Sequence, residues 1–181
     1  MSSSADGAPL PTWVAGVHAL SRLLGYAAAA LIVVSVLVVC QMVFVRAVLG
    51  QSSIWQTEFV TFAMAAATFL GAPYILLTQG HVRVDVVPLA VGARARRFLH
   101  LFGNAAAFAF CVFFLYSAVP WWHEVWTSGQ TTSSIWRARL WIPYLAVPVG
   151  LAVLCLQYAA ETWLVLTRRT APFGTALDVH T

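Results

Sequence analysis

Four apolar stretches free of any charged residue, Leu23–Val45, Phe59–Thr78, Leu101–Trp122 and Leu140–Ala160, make up nearly half of this 181-residue chain. Each is about 20 residues long, the length at which a helix crosses the roughly 30 Å hydrocarbon core of a bilayer. In hydrocarbon every backbone N–H and C=O must be satisfied within the segment, so four such runs read as four spanning helices. They are apolar all round, unlike the one-sided helices of a soluble core. The expected fold class is therefore an all-α integral membrane protein, a four-transmembrane-helix bundle. Little chain is left for a soluble domain, and most enzyme classes are excluded with it.

Composition agrees: 61% of residues are hydrophobic and 9% charged, against about 25% charged in a soluble domain. All ten basic residues are arginine, placed singly or in small groups at span ends. With the N-terminus inside, Arg22, Arg83, Arg94, Arg96, Arg97, Arg168 and Arg169 fall on the inner side. Arg46, Arg137 and Arg139 fall outside. Seven against three favours an N-in/C-in orientation. The net charge of +4 is spread along these boundaries, which gives no reason to expect nucleic acid as a partner. Arg94, Arg96 and Arg97 read as a cytoplasmic anchor at the surface of membrane lipids. Cys40, Cys111 and Cys155 all lie inside spans and read as small apolar fillers.

The expected organisation is a disordered tail at 1–11, one membrane domain at 12–169 and a cytoplasmic C-terminal tail at 170–181. The first span is too long for a signal-peptide core and reads as an uncleaved anchor. Thr12 is a candidate helix cap. Trp13, Val17, Leu20 and Leu24 recur at helical spacing, which fits either a short interfacial helix at the N-terminus or a plain extension of the first span. The connection between spans one and two turns at Leu49-Gly50-Gln51-Ser52-Ser53. In the cytoplasmic connection, the apolar stretch Val86–Val91 is too short to cross and suits a second interfacial helix. The connection between spans three and four, His123–Arg139, carries a polar loop at Gly129–Ser134.

Aromatics mark two interfaces. Trp55, Trp121, Trp122, Trp126, Trp136 and Trp141 sit at the outer span ends, and Trp13 and Trp163 near the inner side. Small residues recur every four positions at Ala63, Ala67 and Gly71, and again at Gly103, Ala107 and Cys111, forming ridges for close helix approach. Pro73, Pro143 and Pro148 fall inside spans and are expected to kink or loosen them.

Chemistry-bearing residues are few. No ionisable side chain lies near mid-span, where a proton relay or ion path would need one. Glu58 opens span two, Glu161 lies near the inner end of span four, and Asp85 and Glu124 sit in connections. His81, His100 and His123 are at edges or in connections, a poor arrangement for haem between facing helices. No catalytic motif, metal-ligand spacing or cofactor-binding loop appears. Trp55 and Glu58, three apart, share one face of the second helix. Glu58 suits either the positive dipole of a helix start or a pair with Arg46, Arg137 or Arg139. His81, Arg83 and Asp85 alternate with valines beside the membrane, as interfacial anchors or as a contact for another subunit.

Three stretches taken in order carry a resemblance: Trp55-Gln56-Thr57-Glu58-Phe59, Phe69-Leu70-Gly71-Ala72, and Gly80-His81-Val82-Arg83-Val84-Asp85. With Ser134, Trp141-Ile142-Pro143-Tyr144 and Pro148-Val149-Gly150, they resemble the small permease subunit of tripartite ATP-independent periplasmic (TRAP) transporters, the DctQ-like family. The resemblance covers roughly residues 20–165; the basic pair Arg137 and Arg139 departs from it. It implies a non-enzymatic inner-membrane subunit in a three-component importer, driven by an ion gradient, usually of sodium. A large permease subunit would carry the substrate, often a carboxylate-bearing metabolite. A periplasmic substrate-binding protein would dock transiently. The small subunit would brace the large one and help receive the binding protein. Candidate partner-interface residues on this basis are Trp55, Glu58, Gly71, His81, Asp85, Arg137, Arg139, Pro143 and Pro148. The alternatives are a membrane anchor for a redox enzyme holding quinone or haem, and an autonomous small exporter. The exporter would normally need the buried carboxylate that these spans lack.

Overall fold

The computed structural model describes residues 11–50, 54–78, 93–134 and 136–167, and within 93–100 only the side chains of Phe98 and Leu99. The tails, the segment holding His81, Arg83 and Asp85, the stretch Val86–Val91 and the side chains of Arg94, Arg96, Arg97 and His100 lie outside the described residues. Among the described residues five helices follow in order: α1 (Thr12–Leu49), α2 (Trp55–Leu77), α3 (Ala93–Thr127), the single turn α4 (Trp141–Tyr144) and α5 (Ala146–Leu166). Four segments are long and apolar enough to cross a membrane: α1, α2, Leu101–Thr127 and Trp141–Leu166.

The helices form despite unhelpful local sequence. The run Ile32-Val33-Val34-Ser35-Val36-Leu37-Val38-Val39 is rich in β-branched residues, which lose rotamer freedom in a helix. Hydrocarbon removes the alternative, because an extended strand there would leave its backbone unpaired. Several hydroxyls inside the spans turn back on the same helix. Ser35 donates to the Leu31 carbonyl at 2.7 Å, Thr68 to Met64 at 2.9 Å and Thr162 to Tyr158 at 2.8 Å, so none needs a partner elsewhere.

α1 has 38 residues and is about 57 Å long at roughly 1.5 Å per residue, more than a bilayer core requires. The stretch from Thr12 is therefore continuous with the first span. Of the two readings open for Trp13–Leu24, extension is the one formed, and a separate N-terminal interfacial helix is not. The physical reason is packing: Val14 is fully buried against Ala160 and Leu164 of α5. Trp13 meets Trp163 edge-on, ring centroids 5.6 Å apart. Thr12 makes no capping hydrogen bond; Pro11 holds the N-cap position. At the other end Gly50 takes a left-handed φ of 62°, which closes the helix as glycine does most cheaply.

α5 is the hub, packing against α1, α2 and α3, while α1 also runs along α2. The buried positions reveal the seams. On α1 they include Val14, Ser21, Ala28 and Ser35, and on α3 Cys111, Ala118 and Val125, each seven residues from the next. That spacing is the signature of left-handed, knobs-into-holes packing. Ala63 and Ala67 of α2 are buried, and Gly71 faces the Ala28 Cβ, which a Cβ at Gly71 would meet at 3.5 Å. This ridge is thus used inside the bundle. The second ridge is fully buried only at Cys111; Ala107 is half-buried and Gly103 has open space around it. Cys155 is buried and Cys40 exposed, so the filler role fits Cys111 and Cys155 but not Cys40.

Prolines act unequally. Pro73 and Pro120 lie within continuous helices. Pro143 and Pro148 fall around the break between α4 and α5. Pro148 has no N–H to give to the Tyr144 carbonyl, so the helix is interrupted there.

Two close approaches fix the packing. A Cβ on Gly150 would collide with the backbone carbonyl of Phe69 on α2, and one on Gly25 with the Tyr74 ring. Across α1 and α5, the Ser21 hydroxyl donates to the Gln157 Oε1 at 3.0 Å. Both residues are completely buried, and the Gln157 Nε2 has no partner among the described residues.

Two outcomes follow for thermal unfolding in detergent. Gly150→Ala lowers stability by about 1–3 kcal/mol, the usual cost of overpacking, whereas Gly71→Ala changes it little. Ser21→Ala destabilises by orphaning the Gln157 carbonyl, at about 1–3 kcal/mol. Adding Gln157→Leu to it restores stability, because the double variant buries no unmatched polar group.

Candidate functional site

The residues singled out in the sequence gather mainly at the end of the bundle that carries the α1–α2 and α3–α5 connections. Trp55 is the first residue of α2 and Glu58 lies in its first turn. The α3–α4 connection is not a slack loop. α3 runs on to Thr127, so His123 and Glu124 are helical, and Gly129 turns the chain at φ 62°. A short hairpin follows, pinned by an antiparallel bridge between Thr131 and Arg139. The Leu140 N–H donates to the Gln130 carbonyl at 3.1 Å, and the Thr132 N–H to the Ala138 carbonyl at 3.0 Å. The Thr132 hydroxyl oxygen accepts the Ala138 N–H at 3.0 Å and lies 3.1 Å from the Ser134 hydroxyl. Ser134 thus serves as a strut of this hairpin.

Aromatic contacts tie the hairpin to the spans. Trp55 and Trp136 have ring centroids 6.4 Å apart. Trp121 stacks on Tyr144 at 4.7 Å, and Tyr144 meets Phe62 edge-on at 6.1 Å. The Trp122 Nε1 donates to the Trp141 carbonyl at 3.0 Å. Five of the six tryptophans of the outer belt are therefore structural links at this end, through two ring pairs, one hydrogen bond and the stack of Trp122 on Trp126 at 5.5 Å.

The hairpin sits over an open, mostly apolar cavity of about 540 Å³ lined by α1, α2, α4 and the hairpin itself. Phe59, Phe62 and Ala66 form one wall, and Arg137, Arg139 and Pro143 lie across from α2 in the lining. Arg137 reaches this place with φ at 47°, a left-handed backbone that costs a non-glycine residue about 1–3 kcal/mol. Of the two readings open for Glu58, the pair with Arg46, Arg137 or Arg139 does not form among the described residues, and the buried Glu58 Oε2 has no hydrogen-bond partner there. Geometry explains this. Glu58 lies about a quarter turn from the middle of the Phe59–Ala66 face. Arg46 lines a separate hollow with Met42, Val43 and Ala47. The first-turn position still gives the carboxylate the favourable field of a helix N-terminus.

The remaining candidates divide. Gly71 faces α1, and Pro148 is buried in the first turn of α5. His81 and Asp85 lie outside the described residues. The structure also brings up what the sequence reading passed over. Gln157 and Ser21 form the buried polar link, and Gln157 stands out in retrospect as the lone amide of the α5 run. Gln56, beside Trp55, is buried as well. Among the described residues no cluster of three or more His, Cys, Asp or Glu is placed to hold a metal ion.

Residues 35–168 match the family profile described as tripartite ATP-independent periplasmic transporters, DctQ component. Three curated relatives carry the name C4-dicarboxylate TRAP transporter small permease protein DctQ. The protein from Vibrio cholerae is 25% identical, the alignment covering 69% of this chain and 63% of the relative. The one from Pseudomonas aeruginosa is 25% identical over 71% of this chain and 62% of its own length. That from Rhodobacter capsulatus is 25% identical over 60% and 48%. The chain spans less than two thirds of the length of each of these relatives.

Proposed function

The chain belongs to the family of DctQ components of TRAP transporters, and from that premise we propose that it braces the large permease of a TRAP-type importer and helps receive a periplasmic substrate-binding protein. It is a multi-pass inner-membrane transporter subunit and not an enzyme. The proposed system takes up a carboxylate-bearing solute with an ion gradient, of sodium by preference. The curated relatives are named for C4-dicarboxylates, which is the substrate class to try first. The observation that carries the reading is the family match across residues 35–168, which takes in the last part of α1 and the whole of the other three described spans.

The physical character of the bundle suits a brace. Its described spans hold no ionisable side chain near their middles, and α5 ties the other three spans into one body. Partner contacts are proposed at the connection end, where Trp55 is 38% exposed, Glu58 keeps an oxygen without a partner among the described residues, and the pinned hairpin presents Arg137 and Arg139. His81 and Asp85 are proposed as further contacts at the opposite end. The proposed orientation is N-in/C-in, with the hairpin in the periplasm.

The deciding experiment is gentle detergent extraction and pull-down of a C-terminally tagged chain. A stoichiometric multi-span permease supports the reading; a redox enzyme, or uptake by this chain alone in liposomes, overturns it. Trp55→Ala and Glu58→Ala are each expected to weaken co-purification or uptake several-fold, and His123→Ala much less; equal losses from all three would remove the case for that surface. A cysteine label at position 131 is expected to react from the periplasm and one at position 92 not, and the reverse pattern would invert the orientation.

A further inference from the structure

An apolar cavity lies beneath two cations at the connection end of the bundle. Phe59, Phe62, Ala66 and Ile142 supply hydrocarbon walls, and Arg137 and Arg139 are the only charged groups in the lining. Neither arginine forms an ion pair among the described residues, and both are exposed. The hairpin bridge at Arg139 and the left-handed backbone at Arg137 hold both over the same opening. The cavity, at about 540 Å³, falls within the range of roughly 300–1,000 Å³ typical of small-molecule sites.

A ligand for such a site needs a long apolar part and an anionic head. Guanidinium groups bind phosphate through several charge-assisted hydrogen bonds. The cavity opens where a chain spanning a bilayer meets the headgroup layer, as the tryptophans around it mark. We propose that this cavity holds an acyl chain of an anionic phospholipid, with Arg137 and Arg139 gripping its phosphate. The lipid would fill the gap between α1, α2 and α4 and fasten the hairpin to the spans. This inference does not depend on the transporter reading, since it uses only the cavity, its charges and the membrane.

The test is native mass spectrometry of the purified full-length chain in mild detergent, titrated with phosphatidylglycerol or phosphatidylcholine. Retention of one phosphatidylglycerol in preference to phosphatidylcholine is expected. The double variant Arg137→Asn/Arg139→Gln keeps a residue tolerant of left-handed backbone at position 137. It should bind phosphatidylglycerol on the order of tenfold more weakly, the loss expected for charge-assisted contacts. Because both side chains are exposed, this variant leaves the packed seams intact. Ala66→Phe, which fills the cavity while sparing the arginines, should also lose the lipid. Equal retention of both lipids, or unchanged binding by the arginine variant, overturns the proposal. Loss in the arginine variant with full binding by Ala66→Phe overturns it too, as it would mean a headgroup contact without an acyl site. An isolated chain that retains no lipid at all would leave the cavity to a protein segment and equally refute it.

Discussion

Helices in hydrocarbon gain little by hiding apolar surface from one another, since lipid tails are as apolar as leucine; association must come from close packing and from polar contacts. Everything in this bundle follows from where backbones can come near. Gly150 lets α5 lie against the carbonyl of Phe69, Gly25 admits the Tyr74 ring, and Ala63, Ala67 and Gly71 bring α2 up to α1. The first of these seats α5 on α2, and the others join α2 to α1, while α5 also packs against α1 and α3. These approaches also explain a motif whose sequence gives no hint of its purpose. In Pro148-Val149-Gly150, the proline interrupts the helix and the glycine supplies the contact just past the break.

The same constraint sets the value of the buried Ser21–Gln157 link between α1 and α5. Side-chain hydrogen bonds within membrane proteins average about 0.6 kcal/mol, so the Ser21–Gln157 bond adds little net stability. Its cost is larger, because the Gln157 Nε2 is buried without a partner among the described residues. A link that contributes little and costs more is better understood as fixing register. It sets which turn of α1 meets which turn of α5, and Val14 then falls beside Ala160 and Leu164. Apolar contacts alone, which slide easily from one turn to the next, would fix this alignment less sharply.

What could be read from the sequence follows from what lipid demands. The spans were legible because length and charge decide them, and the tryptophan belt because it marks an interface. The seams were less so. A search for small residues at intervals of four finds Ala63-Ala67-Gly71, which is used, and Gly103-Ala107-Cys111, which is mostly not. It misses the seven-residue series Val14-Ser21-Ala28-Ser35, whose members look unremarkable among so many small residues. Sequence alone does not decide the extension of α1 to Thr12, because surface-lying and spanning helices share one spacing and only the contact with α5 separates them. The hairpin at 130–140 was unreadable for another reason. Its order comes from pairing of Thr131 with Arg139 and of Thr132 with Ala138, and from Trp136 resting against Trp55, contacts that local sequence does not announce.

The ion pair that does not form at the connection end is the more informative outcome. Glu58 and two arginines lie in neighbouring elements, and charge alone would join them. The hairpin instead turns the arginines over the face of α2 made by Phe59, Phe62 and Ala66, about a quarter turn away from Glu58. Arg137 accepts a strained backbone in the process. Charges of both signs thus remain uncompensated within the described bundle at one end, beside a cavity and under a hairpin held stiff by its own bonds. Closing that pair at an exposed end would add only about 0–1 kcal/mol, so little stability is given up by leaving it open. Keeping the charges apart makes physical sense where each meets something outside the chain: phosphate for the arginines on the lipid proposal, and a donor on a partner for the carboxylate on the transporter reading.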